Sequence, residues 1–264
     1  AWEAFRRVGA TLVPVPVDAE GIQVAELERV CRQQPPRAVL LTPHHQFPTT
    51  VTLKADRRLH LLALAARYRF AIIEDDYDHE FHYGHRPVLP LASADTEGLV
   101  LYIGSLSKLV APSIRIGYVA GPRQVIETIS QVRSIVDRQG DLMMEVAMAE
   151  LIEAGEIKRH ARKAHGQYQQ RRDALAAFLR RYLGDAVRFS VPEGGLALWV
   201  EFHAATDVDQ LAEKAVRQHV VFTPGSRFAL RPEDRVNAVR LGFASLSVPE
   251  LEEGVKRIAR ALDA

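Results

Sequence analysis

Cysteine and lysine are scarce in this chain of 264 residues. Its single cysteine, Cys31, excludes a disulfide within the chain and a metal cluster built from several thiolates. The formal net charge of +1 gives no electrostatic case for nucleic-acid binding by these residues themselves. Six lysines stand against 28 arginines, so a lysine in a distinctive setting is easy to recognise.

Long apolar runs, internal repeats, low-complexity tracts and a targeting segment are also missing. No apolar run approaches roughly eighteen residues, the length typical of a membrane-spanning helix. A hydrophobic fraction of 47% and a charged fraction of 25% are ordinary for globular proteins. We therefore expect a cytoplasmic chain that does not enter a membrane.

Apolar runs alternate with an amphipathic segment in the first half of the chain. We predict strands at residues 38–41, 71–75, 100–103 and 114–120 and a helix at 56–68, which favours a mostly parallel, doubly wound α/β sheet. Helices are predicted at 122–136, 142–154, 156–182, 208–219 and 249–262, and strands at 187–190, 195–202 and 239–244. These patterns predict a large domain at 1–155, then a bridging helix and a smaller α+β domain at 156–264.

Lys108 directly follows the apolar run at residues 101–103 and a Gly-Ser-Leu-Ser turn, and Arg115 comes seven residues later. A lysine at a strand end can be desolvated, which lowers its pKa until it acts as a Schiff-base nucleophile. A loop lysine among solvent-facing serines is the usual interpretation of an isolated Ser-x-Ser-Lys. The segments upstream favour the nucleophile.

A second apolar run, residues 70–73, ends in Glu-Asp-Asp-Tyr-Asp. Ligands of open α/β sheets bind at strand ends, so these groups and Lys108 are expected to face one pocket. A pyridine ring used as an electron sink needs a carboxylate at its ring nitrogen, which Asp75 can supply. Tyr77 points to the same side of an extended segment and can hydrogen-bond the phenolic oxygen of the ring. A solvated strand end is the alternative for the acids alone.

A third apolar run opens into Thr-Pro-His-His-Gln-Phe-Pro-Thr-Thr at residues 42–50. In this order the three segments resemble the pyridoxal-phosphate domain of fold-type I aminotransferases. The resemblance is closer to the MocR-type regulators of the GntR superfamily, and it extends along the whole chain. The combination is specific, although each motif alone is weak. The resemblance implies a fold-type I architecture whose large domain is incomplete at its N-terminus, pyridoxal 5'-phosphate as cofactor, an amino acid or amine as ligand, and a homodimer.

The same resemblance assigns roles to individual residues. Lys108 matches the lysine of the internal aldimine, Asp75 the partner of the pyridine nitrogen and Tyr77 the partner of the ring oxygen. The phosphate ligands match Ser105 and Arg115, and Ser107 is counted among the cofactor-binding residues.

Two positions depart from the family pattern. His44 stands where relatives have Ser or Asn, and for His44 and its neighbour His45 both cofactor contact and packing stay open. Thr50 stands where the family usually has Gly, and Thr tolerates a positive φ poorly.

Two arginines of the second half are candidates for binding the ligand carboxylate. Arg240 matches the position where many aminotransferases hold that group, and Arg227 lies in an adjacent loop. A guanidinium binds a carboxylate through two parallel hydrogen bonds. Either arginine is alternatively one more surface arginine.

Histidines at 79, 82 and 85 suggest a metal site with neighbouring acids. Gly84 and Pro87 make this stretch irregular, so we favour a polar loop beside the cofactor and predict no metal.

The chain is expected to be an internal fragment. By resemblance, a phosphate-binding loop, a ring-stacking aromatic and a winged helix-turn-helix belong upstream, and DNA is contacted only through that missing winged helix. Three functions follow: an effector-sensing domain that forms an external aldimine with an amino compound, a genuine aminotransferase, or a truncated domain without cofactor. Catalytic turnover is left open.

Overall fold

The computed structural model describes residues 2–84, 88–231 and 234–264. The first half contains helices α1 (Trp2–Arg7), α2 (Val24–Gln33) and α3 (Ala55–Tyr68) and strands β1 (Val17–Asp18), β2 (Gly21–Ile22), β3 (Ala38–Leu41), β4 (Ala71–Asp76), β5 (Val100–Ser105) and β6 (Gly117–Ala120). The second half contains helices α4 (Arg123–Val136), α5 (Leu142–Glu153), α6 (Glu156–Leu183), α7 (Val208–Arg217) and α8 (Val248–Asp263) and strands β7 (Val187–Arg188), β8 (Ala197–Phe202), β9 (Thr223–Pro224) and β10 (Ala238–Gly242).

The sheet of the first half is mixed, with strand order β3-β4-β5-β6. The first three strands are parallel and β6 is antiparallel to β5. The predicted strand at 114–120 is wrong at its start, because Pro112–Ile114 form a 3-10 turn and Arg115 has φ 54°. A left-handed residue cannot continue an extended strand, so pairing begins at Gly117.

The sheet of the second half is antiparallel, with order β7-β8-β10-β9. Helix α8 begins with a capping box in which Ser247 and Glu250 satisfy each other's backbone N–H groups. The predicted helices and strands are all present here with small shifts of their ends, and β7 is shorter than predicted.

Two clusters of buried apolar side chains organise the chain. One lies between the first sheet and helices α2 and α3, around Leu27, Leu61 and Ile72. The other surrounds α6, α8 and the second sheet, and it also takes in Phe81 and Leu106 from the first half. The segments that follow β4 and β5 are therefore anchored in the core of the second half.

Helices α4 and α5 leave apolar side chains in solvent. Ile135 is 83% exposed and Met143 is 85% exposed, and all four residues of β6 are exposed. In the described part of the chain, no helix is both long enough and apolar enough to cross a membrane.

Candidate functional site

Three predicted site residues share one face of the first sheet. Asp75 on β4 lies opposite Ile103 on β5, so Tyr77 and Ser105, each two residues further on, point to the same side as Asp75. Burial raises the pKa of the Asp75 carboxyl, and the neighbouring carboxylates of Asp76 and Asp78 raise it further. No described residue donates a hydrogen bond to this carboxylate.

Ser105, Ser107 and Arg115 form a hydrogen-bonded group beyond the end of β5. The Ser107 backbone N–H donates to Ser105 Oγ at 3.2 Å, and Arg115 Nη1 donates to Ser107 Oγ at 3.2 Å. The left-handed conformation of Arg115 ends the 3-10 turn before it and turns the chain into β6. Two hydroxyls and a guanidinium in one place form a group of donors suited to a phosphate.

Lys108 lies in the same turn. Leu106 and Leu109 on either side are buried, at 8% and 4% exposure, while Lys108 is exposed. The turn is thus fixed by its apolar neighbours, and its amine is presented outwards. This exposed position gives no support to desolvation of Lys108, which stays a prediction.

Tyr77 connects this face to the second sheet. Its hydroxyl donates to the backbone carbonyl of His45 at 3.3 Å. Burial raises the pKa of Tyr77 and the Asp78 carboxylate adds to this effect, whereas the nearby Arg240 guanidinium opposes it. Arg240 lies over the Phe47 ring, 5.2 Å from its centroid, and its Nε is buried without a hydrogen-bond partner among the described residues.

The two candidate carboxylate-binding arginines therefore differ in placement. Arg240 on β10 contacts residues of the loop at 42–50 and the end of β4. Arg227 is exposed on a 3-10 turn, and the ring of its neighbour Phe228 packs edge-on against Phe47. Of the pair, Arg240 is the one that the fold brings to Tyr77.

The loop at 42–50 is held by a buried pair of side chains that no sequence motif indicates. His45 Nδ1 lies 2.8 Å from Asp78 Oδ1, and both side chains are almost fully buried. We call this pair the buried dyad. Gly194 packs against it, since a Cβ at that position would lie 2.1 Å from His45 Nε2. Thr50 in the same loop has φ 62°, the conformation that a glycine would adopt without strain.

His44 packs against Asp76, on the face of the first sheet opposite to Asp75. Its Nε2 lies 2.7 Å from the Val88 carbonyl oxygen and its Nδ1 lies 3.1 Å from Asp76 Oδ2. This is the packing alternative left open by the sequence, and a cofactor contact by His44 stays a prediction. Burial alone would raise the pKa of Asp76, but contacts with His44, His79 and Tyr102 outweigh it and hold that pKa well below its usual range.

The three histidines considered as metal ligands do not form one group. His79 Nδ1 lies 3.3 Å from Asp76 Oδ2, whereas the His82 ring stacks on His45 with centroids 6.3 Å apart. His85 lies outside the described residues.

The residues present fit a pyridine cofactor with a phosphate. A carboxylate without a described hydrogen-bond donor, a tyrosine hydroxyl and a serine-arginine donor group lie at adjacent strand ends. Lys108 lies beside these serines in the same turn and adds an amine to this group of side chains.

Comparisons of the sequence with known proteins identify its family. The aminotransferase class I and II family profile matches residues 3–258. The chain is 33% identical to aromatic-amino-acid aminotransferase 1 of Thermococcus litoralis, over 99% of this chain and 64% of that protein. It is 31% identical to the probable rhizopine catabolism regulatory protein MocR of Rhizobium meliloti, over 99% of this chain and 52% of that protein.

A solved structure agrees with the fold. The crystal structure of Pyrococcus horikoshii kynurenine aminotransferase with PMP superposes with a TM-score of 0.93 at 30% identity, covering 99% of this chain and 66% of that one. The chain thus spans between half and two thirds of the length of these relatives. The predicted fold-type I architecture is confirmed, and the chain belongs to the aminotransferase class I and II family.

Proposed function

We propose that this chain is a pyridoxal-phosphate-binding domain that captures an amino compound and acts as the effector-sensing part of a MocR-type transcription regulator. The observation that carries the proposal is the shared face of β4 and β5, on which Asp75, Tyr77 and Ser105 lie beside the turn of Lys108. Regulators among the relatives support the sensing role.

When bound, pyridoxal phosphate supplies an aldehyde that reacts with amines and a ring that withdraws electrons. Lys108 would supply the amine that holds the cofactor aldehyde, in exchange for which an amino compound would be captured. Asp75 would hold the ring nitrogen in its protonated form, and Tyr77 would turn its hydroxyl proton from the His45 carbonyl to the ring oxygen.

The remaining residues bind the charged ends of cofactor and ligand. Arg115, Ser105 and Ser107 bind the phosphate through charge-assisted and hydroxyl hydrogen bonds. Arg240 binds a ligand carboxylate, for which its unpartnered Nε and its place beside Tyr77 are suited. Arg227 is the second candidate for this role because its turn adjoins the same aromatic group.

Two kinds of relative bear on the sensing role. YisV of Bacillus subtilis, described as an uncharacterized HTH-type transcriptional regulator, is 31% identical over 97% of this chain and 52% of its own length. DNA contact would then belong to a separate winged-helix domain, and the regulator would act as a homodimer in the cytoplasm. A genuine aminotransferase is the second candidate, favoured by the Thermococcus litoralis relative at 33% identity.

The first experiment locates the cofactor. The full-length protein is loaded with pyridoxal phosphate, reduced with borohydride and digested, and the labelled peptide is identified by mass spectrometry. We expect the label on Lys108, its loss in Lys108→Ala, and an unchanged label in the control Lys158→Ala, whose side chain is exposed on α6. A label on another lysine refutes the assignment. Absence of any label favours the domain without cofactor.

The second experiment separates sensing from turnover. The loaded protein is mixed with a panel of amino acids and amines, and the cofactor absorbance and the keto-acid product are followed together. Sensing predicts a spectral change and altered DNA binding without multiple turnover. Steady keto-acid production would decide for the aminotransferase.

A further inference from the structure

His44, Asp76 and His79 meet on the face of β4 opposite to Asp75 and Tyr77. Each residue places one ligand atom, a ring nitrogen or a carboxylate oxygen, within 4.8 Å of those of the other two. We call this group the histidine-aspartate cluster. Successive strand residues point to opposite faces, so Asp76 points away from the face that carries Asp75 and Ser105. His44 and Asp76 are 3% and 4% exposed, while the His79 side chain is 36% exposed.

The hydrogen bonds of His44 indicate that a positive charge lies inside the cluster. Its Nε2 lies 2.7 Å from the Val88 carbonyl oxygen, which only accepts, so the ring proton sits on Nε2. In the neutral ring, Nδ1 then carries a lone pair, and it faces Asp76 Oδ2 at 3.1 Å. Two acceptors at this distance require a positive charge between them, either a proton or a metal ion.

The hydrogen bonds within the cluster are incomplete. Asp76 Oδ1 is buried without a hydrogen-bond partner among the described residues. The Nδ1 atoms of His44 and His79 are buried too, and they contact Asp76 Oδ2 at 3.1 and 3.3 Å without good hydrogen-bond geometry. Buried polar groups are nearly always paired, so these atoms together mark a place where a further partner fits.

The surroundings of the cluster match those of metal ligands. A metal-ligating histidine usually donates its other ring N–H to a backbone carbonyl or carboxylate, as His44 does to Val88. Ligating carboxylates are themselves hydrogen-bonded, and Tyr102 donates its hydroxyl to Asp76 Oδ2 at 2.8 Å. Tyr102 lies on β5 opposite Glu74, on the same face as Asp76.

We propose that the histidine-aspartate cluster binds a divalent transition-metal ion, with zinc as the best fit. Two imidazoles and a carboxylate suit zinc, whereas magnesium and calcium prefer oxygen ligands alone. In a tetrahedral zinc site with bonds of about 2.0 Å, neighbouring ligand atoms are roughly 3.3 Å apart. The contacts of Asp76 Oδ2 with His44 and His79 are 3.1 and 3.3 Å. Three protein ligands leave one position for water.

The test uses the full-length protein, stripped with a chelator and titrated with Zn²⁺ and Co²⁺. We expect one ion per chain and a visible Co²⁺ spectrum of tetrahedral type. His79→Ser should abolish that spectrum and weaken binding by about a hundredfold or more. Tyr102→Phe keeps all three ligands and should weaken binding by about 10- to 100-fold.

The control is His60→Ser, which removes an exposed histidine of α3 and should bind the ion as the parent does. Because His79 is partly exposed, its replacement should leave the fold intact, which circular dichroism checks. A parent protein that binds no ion would overturn the proposal and leave a proton as the charge in the cluster. Binding that survives His79→Ser unchanged would overturn it as well.

Discussion

Replacement of Arg115 by alanine should weaken cofactor binding much more than it weakens the fold. Arg115 makes one described side-chain hydrogen bond, to Ser107 Oγ at 3.2 Å, which is long and contributes at most about 1 kcal/mol. Its left-handed backbone, with φ 54°, is equally strained for alanine, so the backbone cost largely cancels. The free energy of unfolding should therefore fall by less than about 1 kcal/mol.

Cofactor binding should lose more free energy than folding does. A hydrogen bond from a charged group contributes about 1.5–3 kcal/mol, and each 1.4 kcal/mol is tenfold in affinity. Arg115→Ala should thus raise the cofactor Kd by about 10- to 150-fold. Arg115→Lys should recover part of this loss, since lysine restores the charge but not the planar pair of donors.

The assay is a titration of the full-length apoprotein with pyridoxal phosphate, followed by absorbance, together with urea unfolding of the same samples. Arg123→Ala is the matched control, because that side chain is 91% exposed on α4 and pairs only with Glu127 among the described residues. It should leave the Kd unchanged. An Arg115→Ala variant with unaltered Kd, or one whose lost affinity is explained by lost stability, would refute the phosphate-binding role.

Three further predictions concern different parts of the chain. Asp75→Asn should bind cofactor nearly as well but react far more slowly with amino acids, because the ring nitrogen loses its charged partner; equal loss in single-turnover rate and in Kd would contradict this. Gly194→Ala should lower the free energy of unfolding by about 1–3 kcal/mol, because the new Cβ overlaps the buried dyad. Gly166→Ala places its Cβ where nothing lies within 4 Å, so it should stabilise α6 by about 0.5–1 kcal/mol. Urea midpoints test both variants. The hydrogen bond from Arg57 lowers the pKa of Asp18 in the folded protein. The Asp18 carboxylate therefore contributes its full stability above the ordinary pKa of 3.8, and this contribution is lost as the pH falls through the lower folded pKa. Asp18→Asn should cost at most about 1 kcal/mol of unfolding free energy at neutral pH and nothing in strong acid, which urea unfolding at both pH values measures.

The sequence pattern was enough to predict which polar side chains stand together at the strand ends, because side chains alternate between the two faces of a strand. Alternation placed Asp75 and Tyr77 on one side, and the parallel order of β4 and β5, which the structure shows, brings Ser105 to the same face. The resemblance supplied what alternation does not, namely which of these groups serves which part of a cofactor.

The buried carboxylates were not anticipated, although alternation carried a signal. Positions 74, 76 and 78 fall on the face opposite to Asp75, and all three acids are buried. An acid at a buried position requires a partner, but the partners come from the loop at 42–50 and from Leu91 and Tyr102, far along the chain. Sequence spacing holds no information on such contacts, which tertiary packing alone creates.

The 28 residues of α6 make a rod about 42 Å long. About a third of the way along it, His165 Nε2 lies 2.8 Å from the His82 carbonyl oxygen, in the segment that follows β4. Near its end, Tyr182 contacts Glu252 of α8. His165 and Tyr182 are about 26 Å apart along the helix, so a tilt of roughly 5° about the first contact moves the second by roughly 2 Å. A rearrangement of side-chain size beside β4 is therefore geometrically enough to shift the contact with α8 by more than the length of a carbon–carbon bond.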